Sequence, residues 1–499
     1  MPVRNPLEAE LSRNTLSASP RGRLSLAVRW AIVLVPGVLL YFLPLPLLNL
    51  VQRHLLAIFV ASIIALVAQP VAMGVSTTAA LVVLALTNTV PADQIFSGYS
   101  NPTVWLIFSA FLFARAATST GFGARVAYTF IHRFGRSPLT LGYAIAASDF
   151  VLAPFIPSDT ARGGGIICPI VQSIARALGS APGEKNSEFG GFLTLVAFHT
   201  TYTASAMFLT GMAANPLMAE LARQVARVDL TWAKWALGAS VPGLIALAIL
   251  PWLILRLHPP GITATDSARL LAREQLCEAG ALSRRERWLV AILLLVMAGW
   301  ITSPLHGISN TIVALAGVTA LLITGVITWP DLLSEGRAWE ALIWFGALIM
   351  MADELVRTGV VPTLSRDAFH FIHGAGRGME LSALVVLYVY VHYGFASMTA
   401  QVTALYPAFL AEGLAASVSP LVAGLSFAYF SNLNAAMTHY GTGSAPIYFG
   451  NGYVSQGKWW TIGFLMSLVN LALWLGIGSV VVEASGMVVT LLVSVRARA

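Results

Sequence analysis

The chain has 499 residues, of which 57% are hydrophobic and only 10% are charged, and its formal net charge is +7. Soluble domains carry about 25% charged residues, so this composition cannot supply a charged shell for a soluble core. The excess of arginine lies mostly in loops, where it sets membrane topology rather than binding nucleic acid. The composition therefore predicts an all-α, polytopic membrane protein whose main partner is the lipid bilayer.

The N-terminal residues 1–25 are basic and precede an apolar run at 26–48, which is too long for a signal-peptide core. We predict that 1–25 is a cytoplasmic tail and that the helices of 26–100 form a scaffold. Runs of about 20 apolar residues can cross a bilayer as helices. The further apolar segments are 54–69, 71–90, 102–120, 139–178, 189–221, 232–257, 287–304, 309–328, 338–357, 380–411, 417–450 and 459–494.

Arginine distribution gives a predicted orientation. Basic residues crowd the tail, the turn at 121–137 and the loop at 258–286, and cytoplasmic loops carry such an excess. We predict a protein of the cell (inner) membrane in which these stretches lie on the cytoplasmic side. This orientation fits about 11 transmembrane helices plus two re-entrant helical hairpins. Two pairs of residues do not fit, since Arg223 and Arg227, and also Arg496 and Arg498, would then lie outside.

Polar interruptions divide three of the apolar segments, 139–178, 189–221 and 417–450, which are too long for one plain crossing. Irregular backbone at membrane depth is tolerated only where protein or a water-filled cavity covers it. The interruptions therefore predict cavities.

The stretch PSDTARGGGIICP, 157–169, is the first of these interruptions. Pro154 and Pro157 disfavour a continuous helix, and three consecutive glycines allow a tight turn. We predict a hairpin over about 139–178 that turns at Ser158–Thr160, so that a helix N-terminus faces an anion. The alternative is an ordinary N-cap in a buried loop, since serine, aspartate and threonine all favour that position.

An internal repeat connects this stretch with the second half of the chain. VWLIFSA at 104–110 resembles ALIWFGA at 341–347, and SDTAR at 158–162 aligns with SMTAQ at 397–401 at an offset of 239 residues. LTGMAANP at 209–216 aligns more loosely with YGTGSAP at 440–446, at an offset of 230. Chance similarity is the alternative, but duplicated halves with broken helices are typical of secondary transporters.

The predicted domains follow from this repeat. The first repeat, 101–257, holds the first hairpin and an unwound helix at about 199–216. The second repeat, 287–457, holds a hairpin at about 380–411 and an unwound helix at about 431–446. The cytoplasmic loop 258–286 joins the repeats, and 458–499 forms the last helix and the C-terminal tail.

Motifs for an enzyme or an ATP-driven pump are absent from the sequence, which has no H-E-x-x-H and no G-x-x-x-x-G-K-[ST]. Asp353 and Glu354 are adjacent, so on a helix they point about 100° apart and do not form a catalytic dyad. We therefore predict a non-enzymatic transporter without a bound cofactor, and an intramembrane enzyme is the less favoured alternative.

Three stretches, APFIPSDTARGGGIICPI, FASMTAQVTALY and NLNAAMTHYGTGSAPIYFGNGYV, resemble the divalent anion–sodium symporters, or dicarboxylate transporters. The branch they resemble most is that of the citrate–succinate, tartrate–succinate and 2-oxoglutarate–malate exchangers. The resemblance implies an inverted-repeat fold with scaffold and transport domains, a homodimer and an elevator motion. It also implies that two Ser-Asn-Thr-type tips and two unwound helices bind substrate carboxylates, with sodium beside them in symporters.

Carried over residue by residue, the resemblance gives a set of candidate substrate-binding residues. They are Ser158, Asp159, Thr160, Arg162, Thr210, Gly211, Asn215, Ser397, Met398, Thr399, Gln401, Thr438, His439, Gly441, Thr442 and Gly443. The asparagine of the family triplet is absent from both tips, where Asp159 and Met398 stand instead. A thioether is a poor ligand for sodium, a hard cation that prefers oxygen donors.

The coupling of transport is left open between two hypotheses. Arg162 as a fixed positive charge would make an unloaded return costly, which favours exchange of one anion for another. Sodium or proton coupling is the alternative, and in that case Asp159 takes the cation or the proton. If Asp159 has no such role, we expect it to be an N-cap that pairs with Arg162, three residues further along the chain. The expected substrates are di- or tricarboxylates such as malate, succinate, 2-oxoglutarate, citrate or tartrate, and sulfate stays open.

Overall fold

The computed structural model describes residues 25–45, 47–183, 187–360, 376–395 and 397–484. Within these ranges the chain is mostly helical, and no described residue lies in a β-strand. The first half contains the helices Leu26–Phe42, Leu50–Ala68, Met73–Leu86, Pro102–Ser119, Phe122–Phe134, Pro138–Leu152, Cys168–Ala177, Glu188–Met207, Ala214–Ala226 and Trp232–Leu257. The second half contains Asp266–Ala279, Arg284–Ile301, Ser303–His306, Asn310–Ile323, Trp329–Ser334, Gly336–Arg357, Arg377–Val391, Met398–Ala415, Pro420–Leu433, Ala445–Gly450 and Gln456–Leu471.

Shorter helical forms complete the secondary structure. The 3₁₀ segments are Ser97–Ser100, His392–Gly394 and Asn434–Ala436, and the π-helical segments are Thr160–Ile167 and Ala472–Ile477. Among the described residues, the helices long and apolar enough to cross a membrane are Pro102–Ser119, Trp232–Leu257 and Gln456–Ala484. Shorter apolar helices occur beside them, and large apolar side chains such as Leu86 and Ile323 are 77% and 81% exposed. Such exposure is expected for side chains that contact lipid.

Local sequence fixes several helix starts. Asn101, Ser137 and Ser419 each accept a hydrogen bond from a backbone N–H in the first turn of the helix that follows. The next residue is proline in all three cases, which suits the first helical position because no N–H is needed there.

Two helices lie at the centre of the molecule. Every residue from Phe189 to Met207 is buried in the helix Glu188–Met207, and every residue from Val422 to Leu433 is buried in Pro420–Leu433. These helices pack against each other, and a helix covered on all sides belongs to the core. The first helix runs directly into irregular backbone at 208–213 (the first break). The second continues through the 3₁₀ segment Asn434–Ala436 into irregular backbone at 437–444 (the second break).

The first break is shorter than the predicted unwound stretch, 199–216, because the helix continues to Met207. The hydroxyls of this polar run donate to carbonyls one turn back, as Thr200 does to Val196, Thr203 to His199 and Ser205 to Thr201. Since the hydroxyls are satisfied inside the helix, the polar run does not unwind it.

Both predicted hairpin segments are helix–turn–helix pairs. The first hairpin covers 138–177 and the second covers 377–415. Their turns, which we call the first tip (153–160) and the second tip (392–399), each lie beside a break. That both ends of each hairpin reach the same face of the membrane stays a prediction.

Two segments predicted as loops contain helices. Phe122–Phe134 lies in the predicted turn 121–137, and Asp266–Ala279 lies in the predicted loop 258–286. The two helices pack against each other. The sequence analysis did not predict these helices because it relied on long apolar runs. Both helices are short and amphipathic, so neither contains such a run.

Candidate functional site

The two tips use serine in the same way. Ser158 Oγ accepts a hydrogen bond from Ala161 N at 3.2 Å, and Ser397 Oγ accepts one from Ala400 N at 3.4 Å. Both serines therefore cap the helix that returns from the tip, which is the N-cap role considered above. Each hydroxyl keeps its own proton for donation to another acceptor, and both serines are partly exposed.

Asp159 connects the first tip with the second break. Its Oδ1 accepts a hydrogen bond from Thr160 N at 2.8 Å. Its Oδ2 accepts from the hydroxyls of Thr442 and Ser444, the latter at 3.2 Å. Gly443 allows this approach, because a Cβ there would overlap Thr160 Oγ1. The carboxylate is thus held by neutral donors from both repeats.

The predicted pair of Asp159 with Arg162 is wrong. Arg162 Nε bonds to Asp149 Oδ1 at 2.7 Å, and both side chains are 0% exposed. Helical spacing does not bring Asp159 and Arg162 together, because the segment from Thr160 is π-helical rather than α-helical and Arg162 points behind the tip.

All the N–H groups of Arg162 have acceptors in the protein. Besides Asp149, they donate to carbonyls or hydroxyls at Ile156, Gly211, Thr201 and Ser205, at 2.7–3.0 Å. A guanidinium has five N–H donors, so none is left for a substrate in this conformation. Arg162 therefore anchors the first tip to the first break, and its direct contact with substrate stays a prediction that would need some of these bonds to open.

Gln401 occupies the corresponding position behind the second tip and is fully buried. Its Nε2 donates to Tyr388 O at 2.8 Å, and its Oε1 accepts from Asn434 Nδ2 and lies 2.7 Å from His392 Nδ1. His392 Nε2 lies 2.9 Å from Gly441 O. The second tip is thereby anchored to the second break by neutral amides and a histidine.

The two anchors correspond at the predicted offsets. Asp149 and Tyr388 are separated by 239 residues, as are Arg162 and Gln401. Gly211 O accepts from Arg162 and Gly441 O faces His392, and these glycines are separated by 230 residues. Equivalent contacts at equivalent positions support duplication rather than chance similarity.

The structure sorts the predicted residues into two layers. Partly or well exposed are Ser158, Thr160, Ser397, Thr399, His439 and Gly443. Buried behind them are Asp159, Arg162, Thr210, Gly211, Asn215, Met398, Gln401, Thr438, Gly441 and Thr442. The exposed layer can meet a solute, while most of the buried layer supports the tips.

Two predicted residues of the first break have structural contacts. Thr210 Oγ1 donates to Pro154 O at 2.6 Å and accepts from Trp232 Nε1 at 3.2 Å. Asn215 Nδ2 donates to the carbonyls of Ser205 and Phe208, both at 2.9 Å. Both residues hold the first break in place.

His439 has a defined tautomer. Trp460 Nε1, which can only donate, lies 3.1 Å from His439 Nδ1. Nδ1 must therefore be unprotonated, and the neutral imidazole carries its proton on Nε2. This N–H is a hydrogen-bond donor in a partly exposed position of the second break.

Several buried polar residues at the site were missed, namely Asp149, His392, Asn432 and Asn434. Asn432 Nδ2 donates to Asn215 Oδ1 at 2.9 Å and so joins the helix before the second break to the helix after the first break. The signal that could have found these residues is a polar or ionisable side chain inside an apolar segment.

Comparison with known proteins identifies the class. The profile of the sodium:sulfate symporter transmembrane region matches residues 24–487. The Bacillus subtilis (strain 168) protein YflS is 45% identical to this chain over 449 residues, which cover 90% of this chain and 94% of YflS. Its name assigns it provisionally as a malate transporter. The Arabidopsis thaliana protein named dicarboxylate transporter 1, chloroplastic, is 42% identical over 89% of this chain and 80% of its own length.

The class is thus that of multi-pass membrane transporters. The chain belongs to the divalent anion–sodium symporter family, which includes proteins named as dicarboxylate transporters, and the predicted resemblance is confirmed. Among solved structures, the Alcanivorax borkumensis YdaH transporter is similar in fold, with a TM-score of 0.54 at 13% identity over 77% of this chain and 86% of that one.

Proposed function

We propose that the chain is a secondary transporter that carries small dicarboxylates across the membrane. The observation that carries the proposal is the apposition of two hydroxyl-bearing tips with two helix breaks, in a chain whose relatives at 42–45% identity are named for malate or dicarboxylate transport. Ser158 and Thr160 on the first tip, and Ser397 and Thr399 on the second, supply a pair of partly exposed hydroxyls for each carboxylate.

We propose exchange as the mode of transport. Met398 supports it, because the second tip offers a buried thioether where a sodium site needs hard oxygen donors. The argument from a fixed charge on Arg162 no longer supports exchange, since Asp149 neutralises that charge.

Coupled symport of the same anions with sodium or protons is a second candidate, and Asp159 favours it. This carboxylate is buried, and among the described residues none with a positive charge forms an ion pair with it. A negative charge beside a dianion is unfavourable, so a proton or sodium ion at Asp159 would offset the repulsion.

The wider setting is also part of the proposal. We place the protein in the cell (inner) membrane with its N-terminus in the cytoplasm, because the arginine-rich stretches then follow the positive-inside pattern. The duplicated hairpins and breaks suit a homodimer in which a transport domain moves as an elevator against a scaffold.

Uptake into proteoliposomes tests the function and its mode. Vesicles preloaded with unlabelled malate should take up labelled succinate or malate, while empty vesicles should not, whether or not sodium is present. Sodium- or pH-driven accumulation in empty vesicles would replace exchange by symport. Sulfate, citrate, tartrate and 2-oxoglutarate serve as competitors, and competition by sulfate alone would contradict a dicarboxylate substrate.

A further inference from the structure

The buried ion pair behind the first tip joins two different parts of the first hairpin. Asp149 lies on the descending helix Pro138–Leu152 and Arg162 lies on the returning π-helix, with Oδ1 and Nε 2.7 Å apart and both side chains 0% exposed. The second carboxylate oxygen of Asp149 accepts no hydrogen bond within the part of the chain that the structure describes. Arg162 is therefore the group that holds the Asp149 carboxylate.

The second repeat has an uncharged pair at the same place. Gln401 Nε2 donates to Tyr388 O at 2.8 Å, and the Tyr388 hydroxyl lies 2.7 Å from Ser431 Oγ. Both repeats thus use a contact across the hairpin to fix the tip, and in both the net charge of that contact is zero. The charge of Asp149 is needed in the first repeat only because its partner there is an arginine.

Removing one partner from a buried ion pair leaves a charge without compensation, which is far more costly than removing both. We propose that Asp149 is a positioning residue for transport, which cancels the charge of Arg162 and holds its guanidinium on the first break. This inference rests on the proposed function of the site. It follows that Arg162 needs the Asp149 carboxylate as its counter-charge, and that either charge alone is worse for transport than the pair.

Several charged or titratable groups face Asp149. They are Arg162, Asp159 and the Tyr448 hydroxyl, from the first hairpin and from the helix that follows the second break. Arg162 is the one cation among them. Without it, Asp149 would stand beside Asp159 with no compensating charge, and uptake of a proton would be the simplest relief.

The test compares Arg162→Gln, Asp149→Asn and the double variant Asp149→Asn/Arg162→Gln, whose amides mimic the neutral second repeat. Malate exchange and its KM are measured in proteoliposomes from acidic to alkaline pH. At neutral pH we expect Arg162→Gln to lose about tenfold or more in rate, because an unpaired buried charge is strongly unfavourable. Acidification should restore part of that loss as Asp149 is protonated. The double variant should exceed Arg162→Gln in rate at neutral pH and show no such pH dependence. It should stay below the wild type, because glutamine cannot replace the bonds from Arg162 to the first break.

A thermal unfolding series on the detergent-solubilised chain gives a readout that does not depend on substrate. The double variant should unfold at a higher temperature than either single variant. If the double variant is no better than the worse single variant in both stability and exchange, the inference is overturned.

Arg115→Gln is the matched control, because it breaks a half-exposed pair with Asp331 and should change neither KM nor the pH profile. If the wild type shows no exchange, the proposed function is wrong. The unfolding series would still show whether Asp149 and Arg162 stabilise the protein as a pair.

Discussion

At the scale of single residues, the ionisable side chains at the site differ in whether they contact a group of opposite charge. Arg162 and Asp149 cancel each other behind the first tip, while Asp159 faces only neutral donors from Thr160, Thr442 and Ser444. Asp159 is therefore the acidic side chain of the tips that has no ion-pair partner among the described residues, and it is the candidate for a coupling ion or proton in the proposed symport. An asparagine at this position would keep the hydrogen-bonding shape without the charge.

Asp159→Asn tests this role. Because the substitution removes a negative charge near the bound dianion, we expect KM for malate to fall several-fold and any dependence of uptake on sodium or pH to disappear. Proteoliposome kinetics across pH measure both effects. Asp331→Asn is the control, because Asp331 caps the helix Trp329–Ser334 and pairs with Arg115, which lies in neither tip. An unchanged KM together with an unchanged pH profile would leave Asp159 with only the N-cap role.

At the scale of secondary structure elements, the connections between the repeats are more ordered than loops. Arg125, on Phe122–Phe134, donates to the carbonyls of Ala279 and Gly280 at the end of Asp266–Ala279 and to Glu286 Oε1 at 2.6 Å. An arginine at a helix C-terminus satisfies free carbonyls and opposes the helix dipole. One side chain thus ties a helix of the first repeat, the helix of the connection and the first helix of the second repeat together.

Arg125→Gln should lower the free energy of unfolding by about 1–3 kcal/mol at neutral pH, since it removes hydrogen bonds to a charged group. Burial raises the pKa of Glu286, but hydrogen bonds from Ser283 and Arg125 outweigh burial and hold the pKa below its ordinary value. A lowered pKa contributes stability at neutral pH that is lost as Glu286 is protonated in acid. The difference between wild type and variant, measured by thermal unfolding, should therefore shrink on acidification. A difference that grows on acidification would contradict the assignment.

At the scale of the whole molecule, we propose that the hairpins, the breaks and the last helix move together against a scaffold that also includes helix Pro102–Ser119. Tyr390, in the second hairpin, lies 3.3 Å by its hydroxyl from Ser467 Oγ in the last helix. Thr103 Oγ1, by contrast, contacts Glu220 Oε2 at 3.4 Å, across the boundary between helix Pro102–Ser119 and the helix after the first break. An elevator motion would preserve the first contact and break the second.

Paired cysteines test this motion in a chain whose two native cysteines are replaced by alanine. Mercury bridging of Thr103→Cys/Glu220→Cys should stop exchange reversibly, with activity returning on addition of thiol, because the bridge joins elements that must separate. Tyr390→Cys/Ser467→Cys should bridge equally well and leave exchange within about twofold of the unbridged protein, since these elements move as one body. Full exchange by the bridged Thr103/Glu220 pair would rule out relative motion at this boundary.

The sequence by itself determined the membrane class, the family and the location of the two tips and the two breaks. Apolar runs, their polar interruptions and the 239-residue repeat are properties of residue order, so no folded structure is needed to find them. Ser158 and Ser397 were predicted as caps or ligands at tips, and their capping hydrogen bonds agree with the first of these roles.

Only the tertiary structure decided which charges meet. The spacing of Asp159 and Arg162 indicated a pair, but the π-helical backbone and the first break direct Arg162 to Asp149, thirteen residues earlier in the chain. Asp159 in turn finds Thr442 and Ser444 in the other repeat. A buried charged side chain pairs with the group that the packing of distant elements brings within hydrogen-bond distance. The spacing of two residues along the chain gives no information about that packing.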